Sequence, residues 1–315
     1  MDTTLWGLMI SAFVIGLAGA MIMRVALLLS LAWVAKLTVE IFTLFGDPFT
    51  ARDVVLVGGG HAHVAVLKKL GMQPLPGLRI TLITRDIHTP YSGMLPGYVA
   101  GFYDYDECHI DLGPLARFAG ARLYHAEVEG VDTHNQRVLV QGRPPVAYDL
   151  LSINTGSTPN RVNVPGVDEF ALAAKPIDIF LQKWQQLVER VKSSQGEFRV
   201  VVVGGGAGGV ELALSTQHRL RQELSNIGQD PSRLTYTLLT SGDSIMHTHN
   251  AGVRKKFVRI LGERGVEIKT SSRVAAVDAQ QVTLENGDQQ AADAVFWVTT
   301  ASEPGWPGSS GLAVD

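Results

Sequence analysis

From Leu5 to Met23 nineteen consecutive residues carry no charge (LWGLMISAFVIGLAGAMIM), and after Arg24 the apolar run continues to Ala35 before Lys36. Nineteen helical residues rise about 28 Å, which matches the hydrocarbon core of a bilayer. The whole stretch from Leu5 to Phe45 as one helix would measure about 60 Å, too long for a single span. Arg24 alone is too short a connection for a helical hairpin. The pattern therefore predicts one transmembrane helix and an interfacial continuation, in which Lys36, Glu40 and Thr43 recur at helical spacing between apolar residues. A cleaved signal peptide is the rival, but Asp2 is the only charged side chain before the run; a start codon placed too early is the other alternative. Positive charges follow the span and none precedes it, so the rest of the chain is expected on the cytoplasmic, matrix or stromal side of the membrane.

After Gly46, Asp47 and Pro48 the pattern changes to short buried strands punctuated by glycine. Asp53 to Val57 (DVVLV) reads as a parallel strand that runs into Gly58-Gly59-Gly60-His61-Ala62-His63 and then an apolar stretch ending in Lys68-Lys69. A strand, a glycine turn and a helix start form the arrangement that binds a dinucleotide pyrophosphate, with glycine needed for the tight turn and for close backbone approach. The third fingerprint position, normally small, is His63. A second copy lies 146 residues on, where FRVVVVGGGAGGVELALS places Gly204, Gly206 and Gly209 in full GxGxxG register before a helix running to about Asn226. Two fingerprints imply two dinucleotides, and a chain that holds two passes electrons between them.

The strand that follows each fingerprint should end in the residue that reads the ribose. Arg79 to Thr84 ends in Thr84, and Thr235 to Thr240 ends in Thr240, so neither carries the carboxylate that usually binds a ribose hydroxyl. With no arginine near Thr240 in sequence, NADH is favoured over NADPH.

Composition narrows the class. At 315 residues, 46% apolar and 18% charged, the chain is long enough for about two folded domains and is not intrinsically disordered. A net charge of −3 gives no basic field, so no nucleic-acid partner is expected. One cysteine, Cys108, excludes an internal disulfide and a CxxC redox pair. His61-x-His63 and His247-x-His249 have a spacing found in metal sites, but neither has a third ligand in view, and no metal is expected.

Tyr148 to Pro159 (YDLLSINTGSTP) is a strand followed by a turn, and Asp293 to Pro304 (DAVFWVTTASEP) repeats that plan. Paired fingerprints with paired downstream turns resemble the two-dinucleotide-binding flavoproteins, in which an NAD(P)-binding domain is inserted into an FAD-binding domain. GGGHAHV at Gly58–Val64, TPYSGMLPG at Thr89–Gly97, LSINTGSTP and KPID at Lys175–Asp178 resemble one branch in particular. It comprises the pyridine nucleotide-disulfide oxidoreductase-like proteins found beside or fused to selenide water dikinase, which are similar to type II NADH dehydrogenases.

The resemblance implies an α/β fold of two Rossmann-like doubly wound domains behind an N-terminal transmembrane helix. Residues 1–50 would be the membrane anchor and amphipathic linker, 51–168 the first part of the FAD-binding domain, 169–302 the NAD(P)-binding domain and 303–315 a truncated return to the FAD domain. FAD would lie on Gly58, Gly59, Gly60, His61, Ala62 and His63, with Thr84, Thr155, Gly156 and the cysteine-free segment Tyr91, Ser92, Gly93, Met94 and Leu95, which stands where disulfide reductases carry their cysteine pair. NAD(P)H would lie on Gly204, Gly205, Gly206, Ala207, Gly208 and Gly209, with Thr300 in the second downstream turn. The resemblance puts Glu211, in the extended GxGxxGxE, near the meeting of nicotinamide and flavin as the catalytic candidate; a first-turn glutamate complementing the helix dipole is the simpler reading. Lys175 is either at the flavin edge or a surface charge. The implied activity is an NAD(P)H dehydrogenase passing hydride to flavin and then to a small acceptor such as a quinone, in a chain compatible with a homodimer. Two alternatives stand beside it. One is a non-catalytic fragment or split subunit with an incomplete FAD site, and the other is a redox partner in selenium metabolism.

Overall fold

Each glycine turn leaves the middle of its own parallel sheet. The computed structural model describes residues 51–156, 158–159, 164–175, 177–299, 301–302 and 305–314; the expected membrane helix and its linker, and Thr300, lie outside them. The chain divides into two compact units, one formed by 51–89 with Asp111–Thr155 and the other by Pro90–Ile110 with 156–314.

In the first unit β1 (Arg52–Val57) leads through the turn into α1 (His61–Met72), followed by β2 (Leu78–Thr84), β3 (Arg122–His125) and β4 (Leu150–Ile153). The strands lie parallel in the order β3-β2-β1-β4. Val54 to Val57 are all buried, which explains their unbroken apolar run in place of alternation. Val54 and Leu56 pack with Val66, Leu67 and Leu70 of α1 and with Leu112 of the helix Leu112–Phe118. Three short antiparallel strands, Val128–Asp132, Arg137–Val140 and Val146–Ala147, complete the unit.

The second unit holds β5 (Ala171–Ala173), α2 (Ile177–Ser193), β6 (Phe198–Val203), α3 (Ala207–Asn226), β7 (Leu234–Leu239), α4 (Ala251–Glu263), β8 (Val266–Lys269) and β9 (Ala294–Trp297). Its parallel sheet has the order β5-β9-β6-β7-β8. The helix Leu95–Ala100 belongs to this unit, because Val99 is fully buried in the core with Phe180, Trp184, Leu212 and Leu220, and Leu95 and Tyr98 pack against it. The segment Tyr91–Leu95, expected within the first domain, therefore groups with the second. A three-stranded antiparallel sheet of Val274–Val277, Gln281–Leu284 and Gln289–Ala291 packs its own apolar cluster against β6, β7 and β9.

The two parallel sheets share one plan. β1 lies between β2 and β4 as β6 lies between β7 and β9, which makes each a point where strand order reverses, the usual place for a ligand in an open α/β sheet. Charges anchor the opposite, strand-start ends. Arg79 pairs with Asp53, whose amide donates to Asp149, and Arg199 pairs with Asp293 at 2.9 Å while its own amide donates to the same carboxylate.

Candidate functional site

The two turns open with the same backbone hydrogen bond. Gly58 N–H donates to Ile83 O at 2.7 Å, and Gly204 N–H donates to Leu239 O at 2.9 Å. Gly58 and Gly204 have φ of +91° and +128°, in the region closed to most side chains, and a Cβ on either would collide with the backbone of the neighbouring strand's exit, at Asn154 and Val298 respectively. Gly60 and Gly206 then cap their helices in extended conformation.

Neither helix start has a side-chain cap or an acidic residue in its first turn, whereas α4 is capped by Asn250 accepting from Val253 N–H at 3.0 Å. With no side-chain cap and no first-turn acid, each helix start turns its positive dipole end to an anionic ligand, as pyrophosphate binding requires. A Cβ on Gly206 would meet nothing within 4 Å, so the backbone there faces open space that a phosphate can enter. At Gly60 the same position is filled by the Asn154 side chain, so glycine there serves internal packing. The second turn fits a dinucleotide at Gly206, and the first shares its positive-φ glycine and uncapped helix start.

The third fingerprint position divides them. A Cβ on Gly209 would collide with Gly204 O, which is the close helix-to-strand approach that glycine allows. His63 in the first unit is wholly buried, with Nδ1 2.6 Å from Gly58 O and Nε2 2.9 Å from Ser152 Oγ on β4. Burial lowers its pKa to about 4, so the ring is neutral. Because Gly58 O can only accept, Nδ1 carries the proton and Nε2 accepts from the serine hydroxyl. His61, at the first position of α1, is also held neutral more readily by burial. Among the described residues no cluster of three ligating side chains could hold a metal.

The strand-end threonines are buried behind the turns. Thr84 Oγ1 donates to Asp86 O at 2.9 Å, and a Cβ on Gly205 would fall 2.5 Å from Thr240. They support the glycine backbone from beneath. The loop after Thr240 folds back over the second turn, with Met246 N–H donating to Gly205 O at 2.7 Å from a backbone with φ of +50°. Arg254 Nη1, from the first turn of α4, donates to Ser244 Oγ at 3.3 Å in this loop. Fourteen residues separate Arg254 from Thr240 in sequence, so spacing alone gave no sign of it.

Glu211 lies on α3 one turn beyond Gly206. The residue is exposed, yet the protein around its carboxyl desolvates it enough to raise its pKa, and His249 on the folded-back loop pulls the other way. Tyr91 N–H donates to Cys108 O at 2.8 Å, and Ser92–Met94 forms a 3-10 turn into the helix Leu95–Ala100. Cys108 is buried, and desolvation together with the charges of Glu107 and Asp104 raises its pKa, which disfavours a thiolate. Thr155 closes the first unit and is exposed; Gly156, at φ +76°, opens the second. Lys175 is half-buried just after β5.

Two parallel sheets that each end in an uncapped, glycine-led helix define a two-nucleotide α/β protein. The chain belongs to the pyridine nucleotide-disulphide oxidoreductase family, whose model matches residues 52–314. It is 26% identical over 251 residues to the NADH dehydrogenase-like protein YutJ of Bacillus subtilis, covering 78% of this chain and 64% of that one. To the external alternative NAD(P)H-ubiquinone oxidoreductase B4 of Arabidopsis thaliana it is 26% identical, over 76% of this chain and 44% of the relative. To the demethylphylloquinone reductase NdbB of Synechocystis it is 27% identical, over 58% and 45%. The fold is that of NDH2 from Plasmodium falciparum, solved with NADH, at a TM-score of 0.72 and 17% identity over 81% of this chain and 56% of that one. The chain thus spans about half to two thirds of the length of these relatives.

Proposed function

We propose that the protein is a flavin-dependent NAD(P)H oxidoreductase, with FAD on the first turn, the nicotinamide nucleotide on the second, and a quinone-class molecule as acceptor. One observation carries this reading: two glycine turns with a positive-φ first glycine and an uncapped helix start stand in a chain with a single, buried cysteine. A disulfide relay needs two thiols, so electrons leaving the flavin pass to a diffusible acceptor. The flavin supplies the two-electron exchange, by which NADH, a proton and a quinone become NAD⁺ and a quinol. The chain's own residues bind and orient. Glycine backbones and positive helix starts hold each pyrophosphate, Thr84 and Thr240 brace the turns, and Glu211 with its raised pKa is the group placed to hold a proton beside the second turn.

The quinone assignment draws support from relatives named as a ubiquinone oxidoreductase and a demethylphylloquinone reductase. Association with a membrane through Leu5–Met23 would bring the protein to such an acceptor. Among the described residues no helix is long and apolar enough to cross a bilayer, so this part of the reading rests on the sequence. Arg254 in the first turn of α4, bonded to Ser244 in the loop beyond Thr240, leaves both NADH and NADPH as donors to be compared.

The test is to purify the full chain in detergent, measure flavin absorbance, and follow its bleaching by NADH and NADPH. Quinones and oxidised selenium compounds are then offered in parallel as acceptors. Flavin with nucleotide-dependent bleaching and faster reoxidation by quinone is expected. A chain without flavin, or one not bleached by either nucleotide, refutes the proposal.

A further inference from the structure

We propose that His63 is a positioning residue for the flavin nucleotide: its imidazole, clamped between Gly58 O and Ser152 Oγ, sets the angle at which the start of α1 faces the pyrophosphate. The inference rests on the reading above that the first turn holds FAD.

The argument begins with the contrast between the units. In the second, α3 is set against β6 by direct backbone approach, since no side chain fits at Gly209 against Gly204 O. The equivalent carbonyl in the first unit, Gly58 O, is met by an imidazole 2.6 Å away. A helix bearing a histidine at that position cannot use the glycine solution, so α1 and β1 are joined through the ring. The ring's far side is bonded to Ser152 on β4, the strand flanking β1 opposite β2. Three elements that meet at the pyrophosphate turn, namely β1's exit, α1 and β4, are therefore tied by one side chain that is 0% exposed. Both ring nitrogens are engaged by groups of fixed position, and a neutral ring satisfies both without an uncompensated charge. Gly58 also carries the positive φ on which the turn depends, and its peptide orientation governs where the Gly59 amide points, while the Gly60 amide donates to Asn154 O at 3.1 Å. Losing the clamp frees that peptide to rotate and leaves a buried carbonyl without a strong donor.

A residue that only filled the core would affect stability and leave affinity alone, so the experiment separates the two. Full-length wild type, His63→Ala, Ser152→Ala and Val66→Ala are purified, stripped of flavin and titrated with FAD by fluorescence; NADH binding and thermal unfolding are measured on the same samples. Val66 is a buried α1 residue that does not touch the clamp in the hydrogen-bond network. His63→Ala should weaken FAD binding by about tenfold and Ser152→Ala by about fivefold. NADH affinity should stay at the wild-type value in both. Val66→Ala should lower the unfolding temperature with FAD affinity unchanged. Wild-type FAD affinity in a folded His63→Ala overturns the proposal. If His63→Ala does not fold, wild-type affinity in Ser152→Ala overturns it. A wild-type chain that binds no FAD overturns the flavin reading and this proposal together, whereas FAD binding by wild type that is unchanged in both variants overturns the clamp alone.

Discussion

A side chain on Gly209 would strike the carbonyl oxygen of Gly204, so α3 can leave β6 at its observed angle only with glycine at that position. The Gly209→Ala variant should push the start of α3 away from the strand and move its free amides off the phosphate. Overpacking at such a contact costs about 1–3 kcal/mol. NADH affinity should fall by about tenfold or more while FAD content per chain stays at the wild-type level, because Gly209 and Gly204 both lie in the second unit. Equilibrium binding of NADH against flavin content in the same sample checks it. A loss of flavin with retained NADH binding would reverse the assignment of the two turns.

His63 makes the stability of the chain depend on pH in a defined window. Its pKa is about 4 in the folded protein and 6.5 for an ordinary imidazole. As pH falls below 6.5 the unfolded chain takes up a proton that the folded chain refuses until about pH 4, so the contribution is complete above 6.5 and is lost as pH drops toward 4. Between pH 7 and pH 5 the loss should be about 2 kcal/mol. Denaturant unfolding at both pH values, for wild type and for the non-titrating His63→Asn, should show a shallower dependence in the variant. Equal slopes would mean that the ring is accessible to protons in the folded state.

What the sequence showed and what it hid follow from how local each feature is. The turn of the second fingerprint was legible because Gly204, at positive φ, and Gly209, against Gly204 O, meet local constraints that only glycine satisfies, and α3 ends at Asn226 where its pattern does. At His63 the sequence showed a departure from the fingerprint but not its resolution, since the partner, Ser152, is 89 residues away. The grouping of Pro90–Ile110 with the second unit was hidden for a related reason. Leu95, Tyr98 and Val99 have helical spacing, but nothing in the spacing says which core they enter. The short antiparallel strands were also missed. Val128–Asp132 is five residues long and broken by Glu129, Gly130 and Asp132, and Arg137–Val140 is four, too little for periodicity to separate from loop.

Glu211 and His249 should act as a pair in the pH dependence of flavin reduction. Desolvation by the surrounding protein raises the carboxyl's pKa and the positive charge of His249 opposes that shift. Removing the charge in His249→Ala should therefore move the carboxyl's titration to higher pH. Stopped-flow reduction of bound flavin by NADH should show an inflection that shifts upward in His249→Ala and disappears in Glu211→Gln, where the rate should also fall by about tenfold or more. Glu211 is exposed, so its effect on unfolding should be small. An inflection that survives in Glu211→Gln would assign the titration to another group and leave Glu211 as an exposed charge in the second turn of α3.

Cys108 gives the final check on how electrons leave. The thiol is buried at 4% exposure, and desolvation, Glu107 and Asp104 all raise its pKa. A redox or nucleophilic cysteine needs the opposite surroundings, with access and a stabilised thiolate. Cys108→Ala should therefore keep NADH-dependent quinone reduction within about twofold of wild type, and a thiol-alkylating reagent at neutral pH should label the native protein far more slowly than the unfolded one. Substitution here removes a small apolar side chain from the core, so a modest fall in unfolding temperature is expected beside the unchanged turnover. Turnover lost in Cys108→Ala with flavin still bound and still bleached by NADH would show that the thiol lies between flavin and acceptor. The direct transfer to a quinone would then be wrong, while the two nucleotide turns would stand.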